Sequence, residues 1–232
     1  MAGTERSTTL ALEALRACRL FAAVDQPTLE RLGAALRVRR FGRGEVIFHL
    51  GDPGDALFIV TLGEVKITIP PDDGTDPAIL TTVGAGGFFG ELALLDGAPR
   101  SATAVALDRV QTLTLGREAF DRLVDEESSL RRSLLAALAG EIRRLTAQVE
   151  DLHFLDLPGR LARHVLRSLP TETGAHRLPW PYTQTELAGM IGGSRQSVNR
   201  LLADLVAGGV LRFDGDELEI PDAVALAAFA RR

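Results

Sequence analysis

Cysteine is almost missing from this 232-residue chain: Cys18 is the only one. That excludes a disulfide within the chain, a four-cysteine iron–sulfur cluster and a cysteine-based zinc site, and it suits a reducing cytoplasm. Lysine is nearly as scarce: Lys66 stands alone and the other basic residues are arginine. Guanidinium forks suit phosphate, but arginine is spread over both halves, as coding bias in a GC-rich genome also produces. No run reaches about 18 uninterrupted apolar residues, so no membrane span is expected. Met1 to Thr9 is polar, without the apolar core of a signal peptide, which also points to the cytoplasm. The four histidines, His49, His153, His164 and His176, are scattered. No His-Glu-x-x-His, Walker glycine loop or nucleophile–base pair at usable spacing is present, so the residues favour no enzyme and no metal site.

An apolar fraction of 46% with 25% charged residues describes a folded globular chain long enough for two modest domains. The net charge of −5 is unevenly placed. From Asp156 to Arg232 nine arginines balance nine carboxylates, so the acidic excess lies in the front of the chain. That permits nucleic-acid binding by the back part, although no basic tail advertises it.

The hydrophobic period changes twice. Leu12, Leu15, Leu20, Leu29, Leu32 and Leu36 recur at helical spacing, with a break near Asp25-Gln26-Pro27. Short β-prone runs follow: Val46–Phe48, Leu57–Val60, Val65–Ile69, Ala78–Leu80 and Ala102–Leu115, separated by Gly, Pro and Asp turns. Many short strands at this spacing argue a sandwich or jelly roll. A long helix begins near Ser128. Leu135, Ile142 and Val149 repeat every seven residues, and Leu138, Leu145 and Leu152 repeat three residues on. These are the a and d positions of a two-stranded parallel coiled coil, hence a homodimer seam; the alternative is a helix packed on its own domain. Pro158-Gly159 reads as a hinge, followed by a helix from Arg160 to Ser168 and a loop from Pro170 to Tyr182.

Thr183-Gln184-Thr185-Glu186 is a capping box that opens a short helix ending at Ile191. Gly192-Gly193 permits a tight turn, and Ser194 can cap a second helix to about Val206. Helix, glycine turn, helix is the helix-turn-helix pattern, whose second helix presents its first turn to base edges in the major groove. That turn carries Arg195, Gln196, Ser197, Asn199 and Arg200, side chains able to pair with guanine and adenine. Val210–Phe213 and Leu218–Ile220, joined through Asp214-Gly215-Asp216, read as a hairpin wing. Thr183, Thr185 and Ser194 join the DNA-facing set. The competing reading is a small α+β domain with a capped helix pair.

In Phe89–Ala102 the chemistry of an anion site is assembled. Gly90 permits close backbone approach, Glu91 can accept from a hydroxyl, Arg100 supplies a cation, and Ser101 with nearby backbone N–H groups can complete an anion nest. An Arg100–Glu91 ion pair bracing an empty pocket is the plainer alternative.

Three stretches, Phe89–Ala102, Phe154–Arg160 and Gly193–Arg200, in this order and spacing, resemble the cyclic-AMP receptor protein / fumarate–nitrate regulator (Crp/Fnr) family, and the resemblance spans nearly the whole chain. It implies an α+β architecture: an N-terminal β-jelly-roll cyclic-nucleotide-binding domain (1–127), a long dimerisation helix (128–155) and a C-terminal winged helix-turn-helix domain (156–232). It implies a transcription regulator acting as a homodimer on duplex DNA with a palindromic operator, with RNA polymerase as a further partner. The run 170–182 is one candidate surface for it, but its aromatics, Trp180 and Tyr182, are expected to pack against their own domain. Cyclic AMP is the expected effector, with Glu91 on the ribose 2′-OH and Arg100 and Ser101 on the cyclic phosphate. Gly90, Leu92 and Ala102 complete the cassette, Leu80 and Thr81 line the pocket, and Thr146 faces the base. An iron–sulfur sensor would need cysteines that are absent, and His49 is a poor candidate for a haem ligand.

The chain departs from the nucleotide-responsive members at three positions. Leu145 replaces one of two adjacent hydroxyl residues that reach the adenine. Glu141 stands where an arginine often meets the cassette glutamate, and would repel Glu91. Gln196 stands where the best-known member has glutamate, which changes what one operator position can offer. The first two changes favour a second reading, a ligand-independent regulator controlled by its abundance.

Overall fold

The computed structural model describes residues 12–70, 76–169 and 174–231. Contacts divide them into two compact units. The first takes residues up to Pro70 together with Leu80–Ile142; the second takes Arg143 onward and the short run that ends at Ile79.

The first unit opens with α1 (residues 12–17), a 3-10 turn Arg19–Phe21 and α2 (Gln26–Ala35). Asp25 caps α2 by accepting from Thr28 N, with a proline in the first turn. Eight strands follow: β1 (Arg37–Phe41), β2 (Val46–Phe48), β3 (Ala56–Leu62), β4 (Val65–Ile69), β5 (Ala78–Val83), β6 (Phe88–Phe89), β7 (Thr103–Ala106) and β8 (Val110–Gly116). They form two four-stranded antiparallel sheets, ordered β1-β8-β3-β6 and β2-β7-β4-β5, the jelly roll expected from the spacing of turns. Between β6 and β7 lies the short helix α3 (Leu92–Asp96). After β8 come α4 (Arg117–Glu126) and α5 (Ser128–Phe154).

Strand β3 shows why its sequence is apolar without alternation: both its faces are covered. Phe58 and Val60 face Phe41, Val65, Phe89, Ala104 and Val110 between the sheets. Leu57 and Ile59 face the helices, where Leu15, Leu20, Leu29, Leu32, Phe120, Leu130 and Leu134 complete a second core. Each such side chain contributes about 1.5–3 kcal/mol by leaving water.

The second unit holds the end of α5, α6 (Leu157–Leu166), β9 (His176–Pro179), α7 (Gln184–Ile191), α8 (Arg195–Ala207), β10 (Arg212–Asp214), β11 (Glu217–Ile220), α9 (Ala223–Ala227) and a 3-10 turn Phe229–Arg231. Its core gathers Leu161, Val165, Leu187, Ile191, Val198, Leu202, Leu205, Leu211, Leu218, Ile220 and Leu226.

Two expectations are corrected here. The helix expected from Arg160 starts earlier: Pro158 and Gly159 lie in the first turn of α6, where Asp156 caps the helix by accepting from Gly159 N at 2.9 Å. Proline is tolerated there because its missing N–H would have no intrahelical partner. The expected loop contains β9, which pairs with β11 and makes the hairpin a three-stranded sheet; residues 170–173 lie outside the described part. Trp180 and Tyr182 pack edge-on to each other at 5.2 Å and against Phe213 and His164, the packing within their own domain that was expected of them.

Candidate functional site

The cassette is built on the β6–α3 turn. Gly90 adopts φ +84°, and a Cβ there would stand 2.7 Å from Arg100 Nη1 and 3.2 Å from Ala56 O. Only glycine lets the chain pass so close to the arginine. Arg100 itself is buried, 3% exposed. Its Nη1 donates to Gly90 O at 2.7 Å and its Nη2 to Ala56 O at 2.8 Å, while Nε has no partner. The guanidinium lies 4.3 Å above the Phe48 ring, and Phe48, Phe58 and Phe89 form an aromatic trio with centroids 5.1–5.8 Å apart.

The plainer reading of an Arg100–Glu91 ion pair is not what forms. Arg100 is instead 3.7 Å from the exposed carboxylate of Asp55. A buried cation bonded to two neutral carbonyls and one distant carboxylate is incompletely compensated. Burial pulls its pKa below the ordinary value, against the pull of Asp55 and Glu91. An anion that replaced one carbonyl would relieve this, so the residues fit a phosphate. Of the five N–H donors of Arg100, two are engaged by main-chain carbonyls and Nε has no partner.

Glu91 is half-buried at the start of α3. Burial raises its carboxyl pKa most; its own backbone N–H lowers it, the Glu141 carboxylate raises it and Arg100 lowers it. The repulsion expected from Glu141 is thus present. Leu92 and Ser101 are exposed, Ala102 is buried, and Leu80 and Thr81 are half-buried on β5. Thr146 is exposed on the part of α5 that belongs to the second unit. Sequence reasoning missed Phe48, the aromatic floor under Arg100, and Arg117, which braces α3; their partners are a guanidinium face and backbone carbonyls, which no motif records.

Along α5 the apolar residues divide. Leu130 and Leu134 are buried in the first unit's core and Leu138 packs against them. Leu138 therefore departs from the expected seam: it lies on the i, i+4, i+8 face that covers its own domain. Leu135, Ile142, Leu145, Val149 and Leu152 are exposed, Leu135 by 67% and Ile142 by 65%. These exposed aliphatic side chains recur along one stripe of the helix over about four turns.

The helix-turn-helix forms as the sequence indicates. Thr183 Oγ1 accepts from Glu186 N at 3.2 Å and the Glu186 carboxylate accepts from Thr183 N at 2.9 Å, closing the capping box. Gly192 ends α7 in the left-handed conformation. Arg160 of α6 donates to Gly192 O at 3.1 Å, holding the turn. Ser194 caps α8, accepting from Ser197 N at 3.1 Å, and the two hydroxyls lie 2.9 Å apart. Hence Thr183, Ser194 and Ser197 are engaged in holding the helices. Arg195, Gln196, Asn199 and Arg200 are exposed along α8, and Thr185 is half-buried. The β10–β11 hairpin carries Asp214, Asp216, Glu217 and Glu219, with Arg177 paired to three of them. The hairpin also carries the exposed Arg212.

Among the described residues no group of three His, Cys, Asp or Glu is placed to hold a metal ion. No described helix is long and apolar enough to cross a membrane. His49 is exposed in the turn after β2, its backbone N–H donating to Asp52.

Comparison with known proteins identifies both domains. The cyclic nucleotide-binding domain family matches residues 38–127, and the Crp-like helix-turn-helix domain family matches residues 159–229. The chain is 34% identical over 223 residues to the CRP-like cAMP-activated global transcriptional regulator of Mycobacterium tuberculosis, covering 94% of this chain and 99% of that protein. It is 32% identical to the cyclic AMP receptor protein of Thermus thermophilus, covering 83% and 87%. Among solved structures, the c-di-GMP-responsive global regulator CLP of Xanthomonas campestris superposes with a TM-score of 0.71 at 26% identity, covering 84% of this chain and 99% of that one. With a nucleotide-type jelly roll, a long helix and a capped DNA-reading helix pair in one polypeptide, this chain belongs to the Crp/Fnr family of transcription regulators.

Proposed function

We propose that the chain acts as a cytoplasmic homodimer whose affinity for a palindromic DNA operator is set by a cyclic nucleotide, cyclic AMP first, held in the cassette. The observation that carries the ligand is the buried Arg100 guanidinium, short of one partner and lodged beside a glycine that leaves room for nothing larger. Arg100, Ser101 and Ala102 would take the phosphate, Glu91 the ribose hydroxyl, with Leu80 and Thr81 alongside. The sensor is read as 1–127, the dimer helix as 128–155 and the DNA-binding part as 156–232. The exposed seam of α5 supports a second copy of the chain as partner, which would set two α8 helices about 34–36 Å apart on DNA. RNA polymerase is the expected further partner of a regulator of this family. The M. tuberculosis relative is named as activated by cyclic AMP and the Xanthomonas one as responsive to c-di-GMP, so both belong in the test.

Calorimetry of the full-length chain with cyclic AMP, cyclic GMP and c-di-GMP, paired with mobility shifts on DNA with and without each, tests the reading. A tenfold or greater change in DNA affinity is expected with one of them, about 1.4 kcal/mol of coupling. Unchanged DNA affinity with every nucleotide would instead favour a ligand-independent regulator of the same fold. That second reading is supported by Glu141, whose charge works against an ionised Glu91, and by the two carbonyls that already occupy Arg100.

A further inference from the structure

A second arginine braces the cassette. Arg117 opens α4, half-buried. Its Nη2 donates to Gly54 O at 2.6 Å and to Ala93 O at 2.8 Å, and its Nη1 donates to Leu94 O at 3.2 Å. Its backbone N–H donates to Asp55 O at 2.8 Å. Ala93 and Leu94 belong to α3, a helix of five residues, so their carbonyls are among the last four, which lack intrahelical partners. A cation there serves both the orphan carbonyls and the helix dipole.

The loop that Arg117 ties to α3 is in tight contact with it: a Cβ on Gly54 would stand 2.1 Å from that of Ala93 and 3.5 Å from Arg100 Cζ. Arg100 is bonded to Gly90 just before α3 and lies 3.7 Å from Asp55 in the loop. The two segments that flank the buried cation are therefore the two that Arg117 joins.

We propose that Arg117 is the positioning residue of the cassette, fixing α3 against the Gly54–Asp55 loop so that Gly90 and Arg100 keep the spacing an anion needs. It acts through main-chain carbonyls, not through the ligand. The inference rests on the cassette being an anion site, as proposed above. Lysine is a poor substitute, because one ammonium lacks the planar fork that spans carbonyls on separate segments.

The full-length chain is compared with Arg117→Lys and Arg117→Met. Thr28→Ala is the control, since buried Thr28 bonds Glu127 in the same unit and touches no part of the cassette. Amide hydrogen exchange without ligand is read over residues 54–55 and 90–96, with cyclic AMP calorimetry and the thermal midpoint alongside. Exchange in those two segments is expected to rise about tenfold or more in both Arg117 variants while β3 and β8 stay protected. Cyclic AMP affinity falls about tenfold, with at most partial rescue by lysine. Thr28→Ala lowers the midpoint and leaves both cassette readouts at wild type. Wild-type exchange at 90–96 in the variants, or a rise shared equally by β3 and β8, overturns the assignment. If the methionine variant does not fold, the lysine variant decides. If the wild-type chain binds none of cyclic AMP, cyclic GMP and c-di-GMP, the functional proposal fails on its own, and the exchange comparison still decides for or against Arg117.

Discussion

Arg167 Nη2 donates to Asp151 Oδ2 at 2.7 Å across the bend between α5 and α6, and Arg163 Nη1 donates to the other carboxylate oxygen at 2.8 Å. Asp151 is 6% exposed, whereas both arginines keep a face to solvent. One carboxylate thus clamps the first helix of the DNA-binding part onto the end of the long helix. Replacing Asp151 with alanine lets both guanidiniums rehydrate, so the expected loss is modest, about 1–2 kcal/mol. Thermal unfolding of the full-length chain measures it; an unchanged midpoint would show that the clamp contributes nothing. Asp151→Asn should fall between wild type and alanine.

Gly90→Ala forces a side chain into a left-handed backbone and against Arg100. It should cost about 1–3 kcal/mol of stability and weaken nucleotide binding together. Arg100→Met separates the two effects. It removes a buried cation that is short of partners, so stability should stay within about 1–2 kcal/mol of wild type, while calorimetric binding of the nucleotide is lost. Retained binding in Arg100→Met would move the phosphate elsewhere.

His164 is packed edge-on to Tyr182 at 6.2 Å. Its pKa is pushed down to about 4, first by burial and then by the Arg167 charge. The imidazole is therefore neutral in the folded chain. A folded pKa below the ordinary 6.5 means that its stabilising contribution is complete above about pH 6.5 and is lost as pH falls toward 4. The wild type should lose up to about 2 kcal/mol through this group, allowing for solvent at its exposed edge. His164→Gln should flatten the part of the midpoint-versus-pH curve between 6.5 and 5. Parallel curves for the two proteins would contradict the assignment.

Ile142→Glu places a charge in the middle of the exposed stripe on α5 without disturbing either core. Sedimentation equilibrium at micromolar concentration should show a dimer for the wild type and a monomer for the variant, with DNA affinity lower by about two orders of magnitude or more once the two half-sites bind independently. A wild-type monomer would remove the dimer from the proposal. Ala substitution of Leu138, which packs on its own domain, should lower stability and leave the dimer intact.

Much of this was legible because it is local. The Thr183–Glu186 capping box, the Ser194 cap and the polar first turn of α8 need only residues three apart, and backbone geometry does the rest. The jelly roll was legible through turn spacing and short apolar runs. By contrast, β1 carries Arg37, Arg39 and Arg40 and is exposed for four of its five residues; it forms because β8 offers a full register of partners, which no property of the segment itself reveals. β9 escaped for the same reason, since its pairing with β11 joins residues about forty apart.

Composition and periodicity alone settled that this polypeptide has a strand-rich front, a long amphipathic rod and a capped helix pair, because each depends on neighbours within a few turns of chain. Which face of the rod covers its own domain was decided only by folding, which turned Leu130, Leu134 and Leu138 inward and left Ile142 and Val149 outside. The state of Arg100 was decided there too. A guanidinium takes whichever acceptors the packed chain brings within reach, and here they are the carbonyls of Gly90 and Ala56 rather than the carboxylate of Glu91.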